Sequence, residues 1–238
     1  MIICLNGIDG SGKSSQAQRL IAQLNAAGYP AVHVWTGGRR SLRRPLISLG
    51  KRLLKTAHSA KPKSGKADPA ATQSGYGAYI STTQRILKRR SLYRVWQHLS
   101  LLEHAAEIWV MVLPHLLRGR IVVCDRYLHD SIIRVAVLAG NDASQLPQQL
   151  RLLRWYRVPA PTLGFLIDVP SEVAFSRKDD IPDIEYLRRR VPFYRAAAAQ
   201  LKMLVVDGTK TPDEIASHIW ETVTEILPEA SKPLYSHR

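Results

Sequence analysis

"GIDGSGKSSQ" occupies residues 7–16, directly behind "MIICLN". Its first eight residues fit the pattern G-x-x-x-x-G-K-[ST]. Glycines at 7, 10 and 12 let the backbone curl, so that successive N–H groups face one anion. A helix that starts at the end of the loop adds its N-terminal partial positive charge. In this pattern Lys13 supplies a mobile cation for the β and γ phosphates of a nucleotide, and Ser14 a hydroxyl for Mg2+. A glycine-rich turn without a ligand is the plainer explanation, and the flanks argue against it. Residues 2–6, "IICLN", read as a buried strand. Residues 13–27 read as a helix, with Ala17, Leu20, Ile21 and Leu24 on one face and Gly28 as its stop. Strand, glycine loop and helix together make Gly7, Asp9, Gly10, Ser11, Gly12, Lys13, Ser14 and Ser15 the candidate phosphate-binding residues.

Working outward, "AVHVWT" (31–36), "RIVVCD" (120–125), "TLGFLIDV" (162–169) and "MLVVD" (203–207) read as four more strands. Helical stretches lie between them: a long apolar one over Leu92–Leu117 containing Pro114, and others near 128–140, 144–156, 171–178, 183–201 and 212–226. Continuous apolar strands alternating with helices predict a parallel sheet covered on both faces, an α/β fold. Such sheets bind ligands beyond the carboxyl ends of their strands. Here those ends carry the glycine loop, Asp125-Arg126, Asp168 and Asp207. Asp125 suits Mg2+, bound directly or through water; its competing role is to cap the next helix. Arg126, beside it, suits fork-like recognition of a second phosphate; its competing role is a structural salt bridge.

The chain has 238 residues, enough for one large domain, which we place at 1–227 with a tail at 228–238. No apolar run is long enough to span a bilayer, and no signal peptide is visible. Cys4 and Cys124 both lie in strand-like runs and read as buried thiols of a reducing compartment, so a cytoplasmic location is expected. The net charge of +15 is unevenly placed: residues 39–94 hold 15 Lys or Arg and one acid, Asp68. This segment reads as a basic insertion with a Pro, Gly, Ser and Lys-rich loop at 58–78. So many cations must be solvated or meet a polyanion: nucleic acid, anionic lipid or an acidic partner.

"GIDGSGKSSQ" and "CDRY" (124–127) together resemble the thymidylate kinase family of P-loop nucleoside monophosphate kinases. Pro114 and Gly119 ahead of Asp125-Arg126-Tyr127, "LIDVPSEVAFSR" (166–177) and "VVDGTKTPDEIASHIWETV" (205–223) are similar to further family segments. The resemblance implies a three-layer α/β/α fold with a five-stranded parallel sheet in order 2-3-1-4-5. It implies ATP with Mg2+, and transfer of the γ-phosphoryl group to a nucleoside monophosphate. It places Asp9 near the acceptor sugar or the metal, Arg126 on the acceptor phosphate, and Arg177 in a lid at about 177–190. A homodimer is compatible with this set of partners.

The chain departs from the family on the acceptor side. Gly37-Gly38-Arg39-Arg40 stands where the family has Arg-Glu-Pro-Gly-Gly-Thr. His104, preceded by Glu103, stands where the family has an arginine that contacts the nucleotide. Asp130, Ser131 and "IIRVAV" follow the Asp-Arg turn. Some members carry an arginine inside the P-loop; here that position is Gly10. A cation for the transition state must then come from elsewhere, with Arg177, Lys178 and Arg188-Arg189-Arg190 as candidates. The expectation is phosphoryl transfer with a changed acceptor. The competing reading is a nucleotide-binding module that has lost transfer and holds a polyanion through residues 39–94. A nuclease or DNA-translocating ATPase finds no further motif in the chain.

Overall fold

The five apolar runs pair as one all-parallel sheet in the order β2-β3-β1-β4-β5, the order expected. The computed structural model describes residues 1–36, 87, 89–181 and 183–227. The strands are β1 (Ile2–Asn6), β2 (Ala31–Trp35), β3 (Ile121–Asp125), β4 (Leu163–Asp168) and β5 (Leu204–Asp207). The helices are α1 (Lys13–Ala26), α2 (Arg90–Leu117), α3 (Leu128–Ala139), α4 (Leu146–Leu150), α5 (Ser171–Ser176), α6 (Ile184–Arg188), α7 (Val191–Leu201) and α8 (Pro212–Thr224). Most of the expected basic insertion at 39–94, with its loop at 58–78 and the Gly37-Gly38-Arg39-Arg40 turn, lies outside the described residues, as does the tail at 228–238.

Alternate residues of the strands feed two cores. Cys4, Val122, Cys124 and Leu166 face a cluster completed by Leu101, Ile108 and Val112 of α2, Ile132 and Ile133 of α3, and Phe193 and Ala197 of α7. Ile3, Leu5, Val123 and Phe165 face Ala17, Leu20 and Leu24 of α1 and Ile215, Ile219 and Val223 of α8. Every residue of β1 and β3 is buried, as strands covered on both faces must be. Cys4 and Cys124 are register partners in the centre of the sheet, and both are free and fully buried.

Two expected helices are broken. The stretch at 183–201 splits into α6 and α7, because Pro192 in the first turn of α7 has no N–H with which to continue the α6 ladder. The stretch at 144–156 is a short α-helix between two 3-10 segments, and it ends where Arg157 turns left-handed. α2 runs unbroken through Pro114. Its outer side is apolar as well as its inner one: Val95, Leu102, Val110 and Leu117 are all more than half exposed. Among the described residues no helix is long and apolar enough to cross a membrane.

Candidate active site

The turn that leaves β1 places Gly7, Gly10 and Gly12 at φ of +148°, +85° and +87°, values that side chains rarely tolerate. The three differ in what a side chain would meet. A Cβ on Gly12 would meet nothing within 4 Å among the described residues, so they leave the mouth of the loop open. A Cβ on Gly10 would lie 2.2 Å from the Ala174 carbonyl oxygen of α5, so this part of the loop is closed. Gly7 is hemmed in by Ser11 Oγ and the Ile167 carbonyl, and Ser11 itself is buried. Gly12, Ser14 and Ser15 are exposed at the mouth, while Lys13 is buried.

Ser14 Oγ donates a hydrogen bond to Asp125 Oδ2, so the loop brings its first helical turn against the end of β3. The other oxygen, Asp125 Oδ1, is buried and has no hydrogen-bond partner among the described residues. A hydroxyl and a carboxylate with an unmatched oxygen form the oxygen-rich donor set that Mg2+ takes. The residues present therefore fit the metal, and the open backbone above Gly12 fits phosphate.

Asp9 is the hub of the loop. Its Oδ1 accepts from Arg126 Nη2 and lies 3.6 Å from Lys13 Nζ. Its Oδ2 accepts from the Tyr186 hydroxyl at 3.0 Å. Burial favours the neutral acid, but Arg126 and Lys13 outweigh it and hold the Asp9 carboxyl below the usual carboxylate range. Burial and the neighbouring Arg126 lower the Lys13 ammonium in turn. Lys13 Nζ also donates to the Ile8 carbonyl at 3.2 Å, inside its own loop. Arg126 adopts φ +75°, and Thr36 at the end of β2 holds its carbonyl at 2.8 Å. A left-handed arginine beside a phosphate loop is backbone strain of the kind found at functional sites.

A cavity of about 320 Å³ opens beside these groups, lined by Asp9, Arg126, Lys178, Asp180, Ile181 and Tyr186. Of the expected lid cations, Lys178 lines it, with Asp180 at 3.1 Å from its ammonium. Arg177 points elsewhere, donating to the Gly208 carbonyl at 2.9 Å. Asp168 and Asp207, at the ends of β4 and β5, are taken by Arg195 and by Thr209. His104 is buried, with Nδ1 at 2.7 Å from Ser131 Oγ, so two of the residues that depart from the family pattern meet between α2 and α3. Asp130 is structural: it caps α3 through the Tyr127 N–H at 2.7 Å and takes the Tyr194 hydroxyl at 2.7 Å.

Sequence reasoning missed Thr36 and Tyr186. Thr36 gave no signal beyond closing a strand. Tyr186 gave a faint one, an aromatic one helical turn before Arg190 in "IEYLRRR".

No protein-family model matches the chain. Curated relatives do, along nearly their whole lengths. The thymidylate kinase of Thermomicrobium roseum is 27% identical, over 94% of this chain and 95% of its own. That of Solidesulfovibrio magneticus is 25% identical, over 95% of this chain and 100% of its own. That of Ruegeria pomeroyi is 27% identical, over 94% of each. A likeness sustained over this length, on a sheet of the order that the family resemblance implies, supports reading the chain as a divergent member of the thymidylate kinase family.

Proposed function

We propose that the chain transfers the γ-phosphoryl group of ATP to a nucleoside monophosphate or a related small phosphate acceptor. It does so in one domain over residues 1–227 with a lid at about 177–190. The observation that carries this reading is the meeting of Ser14 with Asp125 at the mouth of the loop, with one Asp125 oxygen buried and unmatched among the described residues. Phosphoryl transfer asks a protein for positioning and for charge opposite the migrating group, and little else.

Backbone N–H groups from Gly10 to Ser15 would cradle the ATP phosphates, and Lys13 would leave the Ile8 carbonyl for their oxygens. Ser14 and Asp125 would hold Mg2+, which when bound neutralises the β and γ oxygens. Arg126, fixed by Thr36 and Asp9, would grip the acceptor phosphate with its planar fork. The buried His104–Ser131 pair would stand beside the rest of the acceptor and favour one other than thymidylate.

A homodimer is the further partner that the outer face of α2 supports. Val95, Leu102, Trp109 and Leu117 are exposed along one side of the helix, with the small Ala106 midway. Two antiparallel copies crossing at Ala106 would set Trp109 of each against Leu102 of the other, a self-complementary contact.

The test is a transfer screen with Mg2+ and ATP against nucleoside monophosphates, thymidylate included, and against other small phosphates. We expect one acceptor to be phosphorylated clearly faster than thymidylate. No transfer to any of them would overturn the proposed function, and selective use of thymidylate would overturn the changed acceptor.

A further inference from the structure

The three arginines at 188–190 meet three different fates. Arg188 pairs with Glu172 of α5 at 2.9 Å, on the surface. Arg189, the residue that follows α6, pairs with Glu185 of that helix at 3.2 Å, also on the surface. Arg190 turns back over Tyr186: its guanidinium carbon lies 3.5 Å from the ring centroid, and its Nη1 donates to the Tyr186 carbonyl at 2.9 Å. The hydroxyl of the same tyrosine reaches Asp9 at 3.0 Å, 177 residues away in the chain. One line of contacts therefore runs from Arg190 through Tyr186 to Asp9, and from there to Arg126 and Lys13.

We propose that Tyr186 is a positioning residue: it fastens α6 to the P-loop through Asp9 and, on the face of its ring, sets Arg190 as the lid cation for the transferred phosphoryl group. The inference rests on the phosphoryl-transfer reading above. Tyrosine is suited to this because only two torsions separate its ring from the backbone. Fixing the hydroxyl on Asp9 thus fixes the plane of the ring, and a guanidinium stacks on that plane. Arginine is suited because it stays charged and, with Nη1 on the Tyr186 carbonyl, still has Nη2 and Nε to offer a phosphate while stacked. The loop cannot carry this cation itself, since the Ala174 carbonyl fills the space at Gly10. Lys178 lines the same cavity but is paired with Asp180. Asp9 has a double use in this arrangement: it is the anchor of the lid and the resting partner of the cations that phosphates would recruit.

Two measurements test the proposal. The first is amide hydrogen exchange over residues 183–190 in the ligand-free chain. Tyr186→Phe, which removes the hydroxyl and keeps the ring, should speed exchange there about tenfold, the loss of one ordinary hydrogen bond. Arg189→Gln, which cuts a pair between α6 and the residue that follows it, should change it less than twofold. The second is transfer from ATP to the fastest acceptor of the screen. Arg190→Ala should lower kcat at least about a hundredfold with KM for ATP within about threefold, because a lid arginine acts in the transition state. Tyr186→Leu should lower kcat in the same direction, and the Tyr186→Leu, Arg190→Ala double variant should be no slower than Arg190→Ala alone. Unchanged exchange in Tyr186→Phe overturns the fastening. Unchanged kcat in Arg190→Ala, with the large loss appearing in Lys178→Ala, overturns the choice of cation. A wild-type chain that transfers to no acceptor refutes the phosphoryl-transfer reading and Arg190's role with it, while the exchange result still decides the fastening.

Discussion

Replacing Gly10 with alanine adds one methyl group at a place where the structure leaves no room for it. Two costs can be separated. Gly10 sits at φ +85°, and an L-residue in the left-handed region costs about 1–2 kcal/mol. The new Cβ would lie 2.2 Å from the Ala174 oxygen and 2.9 Å from its carbon, whereas a C···O contact relaxes to about 3.3 Å. Both partners are backbone, so the loop or α5 must move by about 1 Å, an overpacking cost of about 1–3 kcal/mol. The sum is about 2–5 kcal/mol. Gly12 provides the internal control, because at φ +87° with nothing within 4 Å among the described residues it carries the first cost alone. Urea denaturation of the wild type, Gly10→Ala and Gly12→Ala should therefore place the Gly10 variant about 1–3 kcal/mol below the Gly12 variant. In thermal melts this is a further drop of about 2–12 °C for a chain of this size. Equal stability of the two variants, within about 0.5 kcal/mol, would refute the packing of α5 on the loop.

Lys13→Ala should abolish measurable ATP binding by calorimetry while leaving the far-ultraviolet circular dichroism unchanged, because among the described residues this ammonium bonds only within its own loop, to the Ile8 carbonyl and Asp9. Arg126→Ala should raise KM for the acceptor at least about tenfold and change the Kd for ATP less than threefold, as expected for loss of a charge-assisted phosphate contact; a collapse of ATP affinity with normal acceptor saturation would reverse the assignment. His129 is buried with Nε2 at 2.7 Å from Asn6 Oδ1, and burial holds it neutral, below its ordinary value of about 6.5. In this window the unfolded chain takes up the proton first, so stability should be full above about pH 6.5 and fall as pH drops below it; His129→Gln should flatten that fall in melts taken across the range. Asp9 and Asp130, both held low in the fold, should add a second loss below about pH 4. Leu102→Glu on the outer face of α2 should halve the mass seen in sedimentation, since a charge at the crossing of two copies would be buried without a partner.

The sheet and the loop were legible because their signals are local. Short apolar runs ended by turn residues located all five strands, and the glycine spacing located the phosphate loop with the helix behind it. Order within the sheet came from the family resemblance and agrees with the observed pairing. What escaped reading was set by contacts between distant parts of the chain. Arg177 and Lys178 are neighbours in sequence, and only packing decides that the first turns to Gly208 and the second to the cavity. Nothing in "CDRY" marks Arg126 as left-handed, since arginine has no preference for that region; Thr36 and Asp9 hold it there from other elements. The break before α7 had a local cause, Pro192, but the apolar periodicity runs on across it.

The paired thiols at the heart of the sheet give the protein its own clock. Cys4 lies on the strand that leads into the phosphate loop and Cys124 on the strand that ends in Asp125. Both are fully buried, and burial together with the neighbouring sulfur pushes the Cys4 thiol well above its ordinary value. Neither thiol has exposed surface, so a thiol reagent reaches one only when the fold around it opens. The rate at which the native chain takes up such a reagent therefore counts those openings, with no residue substituted. Because both strands end at the site where ATP and Mg2+ would sit, adding these ligands one at a time should slow that count by the share of the opening that each must be released to allow.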